Sequence, residues 1–292
     1  MKAKGEATLL YGLILFDLIE GQKYIGGPAI NIALHMAYRQ CPSLLVSCVG
    51  NDELGKMAKK YLVDNNVDTG FVNTDMAHET GWVKVWLDEN GNPTFDIIRP
   101  VAFDYISLTD QQIQTLAQNE YDIFYFGTVV QRNTTSADTL SKLLNSVKYR
   151  ETFFDINLRK GNYAKDVVDY SLSKTDILKL NEEELFLIAE LFDVNKESEE
   201  DLVNWIFRHY PPHIILLTRG ANGATVLTPN SREDIPGIKV KVKDTVGSGD
   251  AFSAGFIMEY IESGNLLIAA QKGNELGAYV ATKSGAVPEL ND

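Results

Sequence analysis

The sequence predicts an α/β fold, a doubly wound and mostly parallel sheet with a small β-sheet lid beside it. Three observations predict this. Short apolar runs at residues 44–49, 123–126, 152–156, 177–180 and 214–218 have the length of buried strands. Helical periods separate most of them, and strands alternating with helices in this way build a parallel sheet covered on both faces. One stretch, residues 81–99, breaks the rhythm and reads as a hairpin.

The elements follow in order. Residues 7–16 are largely apolar and are followed at once by Asp17 and Glu20. With the lysines of residues 1–6 they imitate a secretion signal, but no small-residue cleavage site is present, so the run reads as a buried strand ending at Asp17. In 52–65, Leu54, Met57, Ala58, Tyr61 and Leu62 recur at helical spacing. Thr109 and Gln112 form a capping box that opens a helix over 109–117. Further helical patterns cover 135–147, 182–192, 198–209, 249–261 and 266–282.

The hairpin is different in kind. Asn90-Gly91 is a strong turn signal between 81–87 and 94–99. Val83, Val85 and Leu87 alternate with Trp82 and Trp86, so both faces are apolar and neither can simply face water. Two strands are marginal alone. The reading is a small lid formed by about 17–27 and 78–103, one face over a ligand and the other against a partner. No repeat, low-complexity tract or linker divides the chain, so 1–292 reads as a single domain.

Composition removes several functions. The 292 residues carry 27 Lys and Arg against 40 Asp and Glu, a net charge of −13. Nucleic acid or an anionic membrane surface needs a basic footprint that this balance lacks. Cys41 and Cys48 are too few for a disulfide scaffold, and no apolar run reaches membrane-spanning length. A cytoplasmic protein is expected. His209 and His213 are separated by Pro211-Pro212, which rules out a shared helix face for zinc. No Gly-x-Ser-x-Gly elbow appears, so a serine hydrolase has no support.

The chemistry-bearing stretch is Asp244-Thr-Val-Gly-Ser-Gly-Asp250, with an apolar helix directly behind it. Gly247, Ser248 and Gly249 can form a concavity of backbone N–H groups, and the helix dipole adds to its pull on an anion. Asp250 in the first turn then fits a base acting on a nucleophile that attacks phosphate. A tight turn with Asp250 as an N-terminal helix charge is the plainer alternative. The stretch is neither a Walker A loop nor a dinucleotide fingerprint.

This stretch resembles the C-terminal signature of the ribokinase/PfkB family of sugar kinases, Asp-Thr-x-Gly-Ala-Gly-Asp. Upstream, Ile25-Gly-Gly-Pro-Ala-Ile-Asn31 matches the family's Gly-Gly-x-x-x-Asn. Asp155-Ile-Asn-Leu-Arg159, Lys179-Leu-Asn-Glu-Glu-Glu184 and Thr218-Arg-Gly-Ala-Asn-Gly223 lie between, in family order. The resemblance spans 12–288. It departs at Ser248, where the family usually has Ala, and at Gly12-Leu13, where fructokinase types often have Gly-Glu.

The resemblance implies an ATP-dependent sugar kinase, most like the fructokinase branch. It implies a sugar held by Asp17, Gly27, Asn31, Arg99 and Arg159. A nucleotide would lie along Asn181, Glu184, Thr218, Gly220, Gly223 and Asn274, with its γ-phosphate at Gly247, Ser248 and Gly249 and Asp250 as base. ATP and Mg²⁺ are the implied cofactors. A monovalent cation such as K⁺ is implied at Asp244, Val246 and Gly285, mostly through backbone oxygens. A homodimer paired through the lid is the implied assembly.

The residues themselves leave alternatives open. Asn31 can be a buried satisfied amide, and Arg159 a surface ion pair. Asp155, Asn157 and Arg159, at period two after a strand, are expected to point together into the crevice. Asn181 with Glu184 is a helix cap first, and 218–223 can be a hairpin turn. A 2-keto-3-deoxygluconate-type kinase, with Arg159 and Arg99 on a carboxylate, is the alternative enzyme. A sugar- or nucleotide-binding regulator on the same fold is the alternative class.

Overall fold

The computed structural model describes residues 8–19, 22–87, 93–195 and 198–288. The chain opens with β1 (Thr8–Tyr11), crosses to the hairpin β2 (Leu15–Ile19) and β3 (Gln22–Gly26), and returns through α1 (Pro28–Tyr38). Then come β4 (Ser43–Gly50), α2 (Glu53–Asp64) and β5 (Val72–Asp75). A second antiparallel pair, β6 (Gly81–Leu87) and β7 (Pro93–Ile97), precedes α3 (Asp110–Ala117). The alternation resumes with β8 (Glu120–Gly127), α4 (Thr134–Ser146), β9 (Lys148–Asp155), α5 (Lys165–Ser173), β10 (Ile177–Asn181), α6 (Glu182–Leu191) and α7 (Glu199–His209). It closes with β11 (Ile214–Thr218), β12 (Gly223–Thr228), β13 (Ser231–Pro236), α8 (Ser248–Ser263) and α9 (Leu266–Ala281).

The large sheet runs β13-β12-β11-β10-β9-β8-β1-β4-β5. It is parallel from β5 to β11, and only the β11–β12 and β12–β13 pairings are antiparallel. Period-two alternation splits its side chains between two layers. Leu9, Phe124, Phe126 and Leu180 pack with Leu140, Val168 and Ile188 of α4, α5 and α6. Leu10, Ile123, Phe153 and Leu216 pack with Ile30, Phe256 and Val280 of α1, α8 and α9. The order reverses between β1 and β8, which opens a crevice at the carboxyl ends of those strands. Among the described residues no helix is long and apolar enough to cross a membrane.

The apolar run 7–16 is not one strand, contrary to the sequence reading. It is cut at Gly12: β1 belongs to the large sheet and β2 to the small one. The reason is steric. A Cβ on Gly12 would overlap the Cβ of Ala29 in α1, so the chain leaves the sheet where α1 crosses it. Glycine was the only breaker in the run.

The small sheet runs β3-β2-β6-β7, with β2 parallel to β6. Register places Phe16, Ile25 and Trp82 on one face and Asp17, Tyr24, Val83 and Ile97 on the other. Trp82 is half-buried against the chain's own apolar residues, and its indole N–H donates to Glu79 at 3.0 Å. The Asn90-Gly91 turn and the side chains of Val85, Trp86 and Leu87 lie outside the described residues.

Candidate active site

The N-terminus of α8 is built around Gly247. Its φ of 75° is left-handed, and a Cβ there would lie 2.5 Å from the Cα of Ala286, so only glycine fits. No side chain caps the helix. The amide of Ser248 donates to Thr245 at 3.2 Å, while those of Gly249 and Asp250 find no partner among the described residues. Open amides at a helix start make an anion site.

Asp250 sits in the first turn. Asn31, 4% exposed on α1, donates from Nδ2 to Asp250 Oδ2 at 2.7 Å. Gly27, at φ 124°, ends the turn before Pro28 and accepts the Asn31 amide at 3.0 Å. The buried-amide reading of Asn31 is the one the geometry shows. It is buried and satisfied, and its bond aims the carboxylate. Burial pushes the Asp250 carboxyl up to about 6, reinforced by Asp155 and opposed by Asn31, Lys179 and Arg159.

Asp17 on β2 has its carboxyl pushed up by burial and held back by the Arg159 charge. Arg159 is exposed and makes no ion pair with a described residue. Asp17 and Asp250 thus both feel the Arg159 charge, and Asn31, one helical turn past Gly27, holds Asp250. The Arg99 guanidinium donates to the Gly161 carbonyl, in the same loop that carries Arg159.

Asp155 and Asn157 both line the cavity at the strand-order reversal, but the regular period expected to carry Arg159 along with them is not kept. β9 ends at Asp155, and Asn157 has a φ of 37°, which breaks the strand period. Asp155, 1% exposed, faces inward to Lys179 at 2.8 Å and to Ser253 at 3.2 Å.

Asn181 and Glu184 form the capping box of α6, with bonds of 2.8 and 2.9 Å. Glu184 also accepts the Leu158 amide at 3.0 Å, tying the loop after β9 to this helix. Burial raises its carboxyl, and Lys179 opposes the rise. Thr218, Gly220 and Gly223 do form the turn of the β11–β12 hairpin. Gly223 pairs with Pro236 in β13, whose carbonyl accepts from Asn274 at 3.0 Å. These four residues are therefore neighbours along one edge.

The carboxylate of Asp244 accepts the amides of Val246 at 3.0 Å and Gly285 at 3.1 Å. The three expected cation residues are together, with the carboxylate spent on N–H groups. Among the described residues no group of three or more His, Cys, Asp or Glu could hold a metal. A cavity of about 20 Å³, room for one water, lies at the strand-order reversal between Tyr11, Gly12, Tyr125 and Asp155. The larger hollow, about 690 Å³, lies by Pro42, Leu44 and Tyr121 at the other end of the strands and holds none of these residues.

Two charged residues were missed by sequence reasoning. Arg132 pairs with Asp104 at 2.6 Å, both side chains 3% exposed, and donates to the carbonyls of Ile97 and Ile98 and to Asn162. It fastens the end of β7 to the loop carrying Arg159, and no local pattern announces it. Lys179 is buried in β10; a lone lysine inside an apolar strand run was its available signal.

Known proteins are similar over nearly the whole chain. Fructokinase-1 of Oryza sativa subsp. japonica is 26% identical over 316 residues, covering 99% of this chain and 96% of the relative. Fructokinase of Klebsiella pneumoniae is 27% identical, covering 91% and 88%. The crystal structure of fructokinase from Vibrio cholerae O395, bound to fructose, ADP and calcium ion, superposes with a TM-score of 0.84 at 26% identity, covering 97% and 95%. The family model for pfkB family carbohydrate kinases matches residues 17–292, and the chain belongs to that family.

Proposed function

We propose that this carbohydrate kinase transfers the γ-phosphoryl group of ATP to a sugar hydroxyl, with fructose as its substrate. The observation that carries the reading is Asp250, a carboxylate aimed by Asn31 beside the open amides of the α8 N-terminus. Asp17, Gly27, Asn31 and Arg159 hold the sugar. The hydroxyl oxygen attacks phosphorus, its proton passes to Asp250, and the bond to the β–γ bridging oxygen breaks with its electrons leaving on ADP. Thr218, Gly220, Gly223 and Asn274 border the nucleotide, and Asn181 and Glu184 the phosphates. Vibrio cholerae fructokinase binds fructose and ADP, which supports both ligands here.

The donor set fits a Mg²⁺ carried mainly on the phosphates. Mg²⁺ keeps several waters and needs few protein carboxylates, and both oxygens of Glu184 already accept amides. A bound Mg²⁺ would supply charge neutralisation for the phosphates. A monovalent cation fits the carbonyls of the Asp244–Val246 and Gly285 loops, and a double mutant of the Vibrio enzyme was crystallised with potassium.

We infer further that the small sheet is the lid, with the Asp17 and Val83 face toward the sugar. Arg159 favours a second substrate, an acidic sugar such as 2-keto-3-deoxygluconate, because its guanidinium pairs with no described carboxylate. The deciding measurement is ATP-dependent phosphorylation across fructose, ribose, 2-keto-3-deoxygluconate, tagatose phosphate and nucleosides. Fructose is expected to have the highest kcat/KM. Turnover of none by an active-site-intact protein would leave the regulator reading.

A further inference from the structure

Lys179 has no role in the reaction as described so far. It lies in β10 between Leu178 and Leu180, and its side chain is 9% exposed. An ammonium is removed from water at high cost unless well paired. Asp155 Oδ2, at 2.8 Å, is the only hydrogen-bond acceptor it reaches among the described residues. An ammonium has three donors, so two are left without a described partner.

Their position gives them meaning. Lys179 Nζ lies 3.7 Å from the point where a Cβ on Gly249 would stand. Gly249 and Asp250 carry the unpaired amides of the α8 N-terminus. Two kinds of unspent N–H donor, one of them charged, therefore converge on one place. Asp155 holds the ammonium there and is itself held by Ser253 at 3.2 Å.

We propose that Lys179 is a further catalytic residue, whose ammonium binds the γ-phosphate of ATP opposite the Gly249 and Asp250 amides. This rests on the kinase reading above. As the bond from phosphorus to the bridging oxygen breaks, Lys179 stays protonated and stabilises the phosphoryl oxygens through charge and hydrogen bonds. No proton leaves it, because Asp250 takes the hydroxyl proton. Glycine at 249 leaves the space between ammonium and amides open for those oxygens. Asp155 is a positioning residue in this arrangement.

The competing role is a purely structural ion pair joining β9 to β10. Calorimetric titration of ADP and of a β,γ-imido ATP analogue separates the two, on the intact protein with Mg²⁺. Lys179→Met is expected to weaken the analogue about 10–100-fold, the scale of a lost charge-assisted hydrogen bond, while ADP binds as before. Removing one partner of a buried pair can unfold a protein, so Lys179→Met with Asp155→Asn, which leaves no unpaired charge, carries the same expectation. Equal weakening of both nucleotides, or a double variant with wild-type analogue affinity and kcat, overturns the proposal. Failure of the kinase reading looks different: the wild type phosphorylates no sugar, yet the analogue and ADP still part company in the variants.

Discussion

Burial pushes Asp250 up to about 6, and this single carboxyl sets two opposing pH responses. A base must be unprotonated, so kcat/KM, which reports the free enzyme, is expected to fall about tenfold per pH unit below 6 and to level off above it. Stability runs the other way. The folded protein binds this proton more tightly than the unfolded chain does, so the contribution is full at low pH and is lost as pH rises through 6. Asp250→Asn is expected to lower kcat by roughly 10²–10⁴ with little change in sugar binding. The same variant should melt higher than wild type above pH 6, a gain that disappears below pH 4. Steady-state kinetics and melting curves across pH check both halves, and near-normal turnover removes the mechanism. Asp250 was legible because its neighbours in sequence are its neighbours in space. Lys179 and Arg132 were not, since their partners Asp155 and Asp104 come from other segments.

The N-terminus of α8 separates two glycine duties. Gly247 is bound by conformation and by Ala286, whereas a Cβ at Gly249 meets nothing nearer than 3.7 Å. Gly247→Ala is therefore expected to disturb the loop itself, visible as lost thermal stability. Gly249→Val should fold, keep its melting temperature, bind adenosine as before and lose phosphoryl transfer. If Gly249→Val turns over normally, the loop is only a turn. Capped helices such as α3 and α6 were readable, because Thr109 with Gln112 and Asn181 with Glu184 bond within their own first turns. The split between β1 and β2 was not, because what ends β1 is a contact with Ala29 on a helix not yet formed.

For the whole molecule, the small sheet is the surface through which pairing is expected. Trp82 is partly covered by its own chain, so the pairing idea rests on the apolar pattern of the hairpin sequence. A C₂ homodimer through this sheet is expected, and replacing Trp82 and Trp86 with Lys should give monomers with weakened sugar binding. Sedimentation decides it; a wild type that stays monomeric at micromolar concentration ends the dimer idea and leaves the kinase untouched. The alternating body of the fold was legible from runs and periods, and the partition of strands between two sheets emerged only in three dimensions. The far border of the large sheet, β13, carries Arg232, Glu233 and Asp234, all exposed. Unpaired backbone along such a border is a template on which further copies can stack into fibrils. Docking a strand there would strip water from charged side chains at a cost, so crowded copies are expected to leave that border bare and not to seed filaments from it.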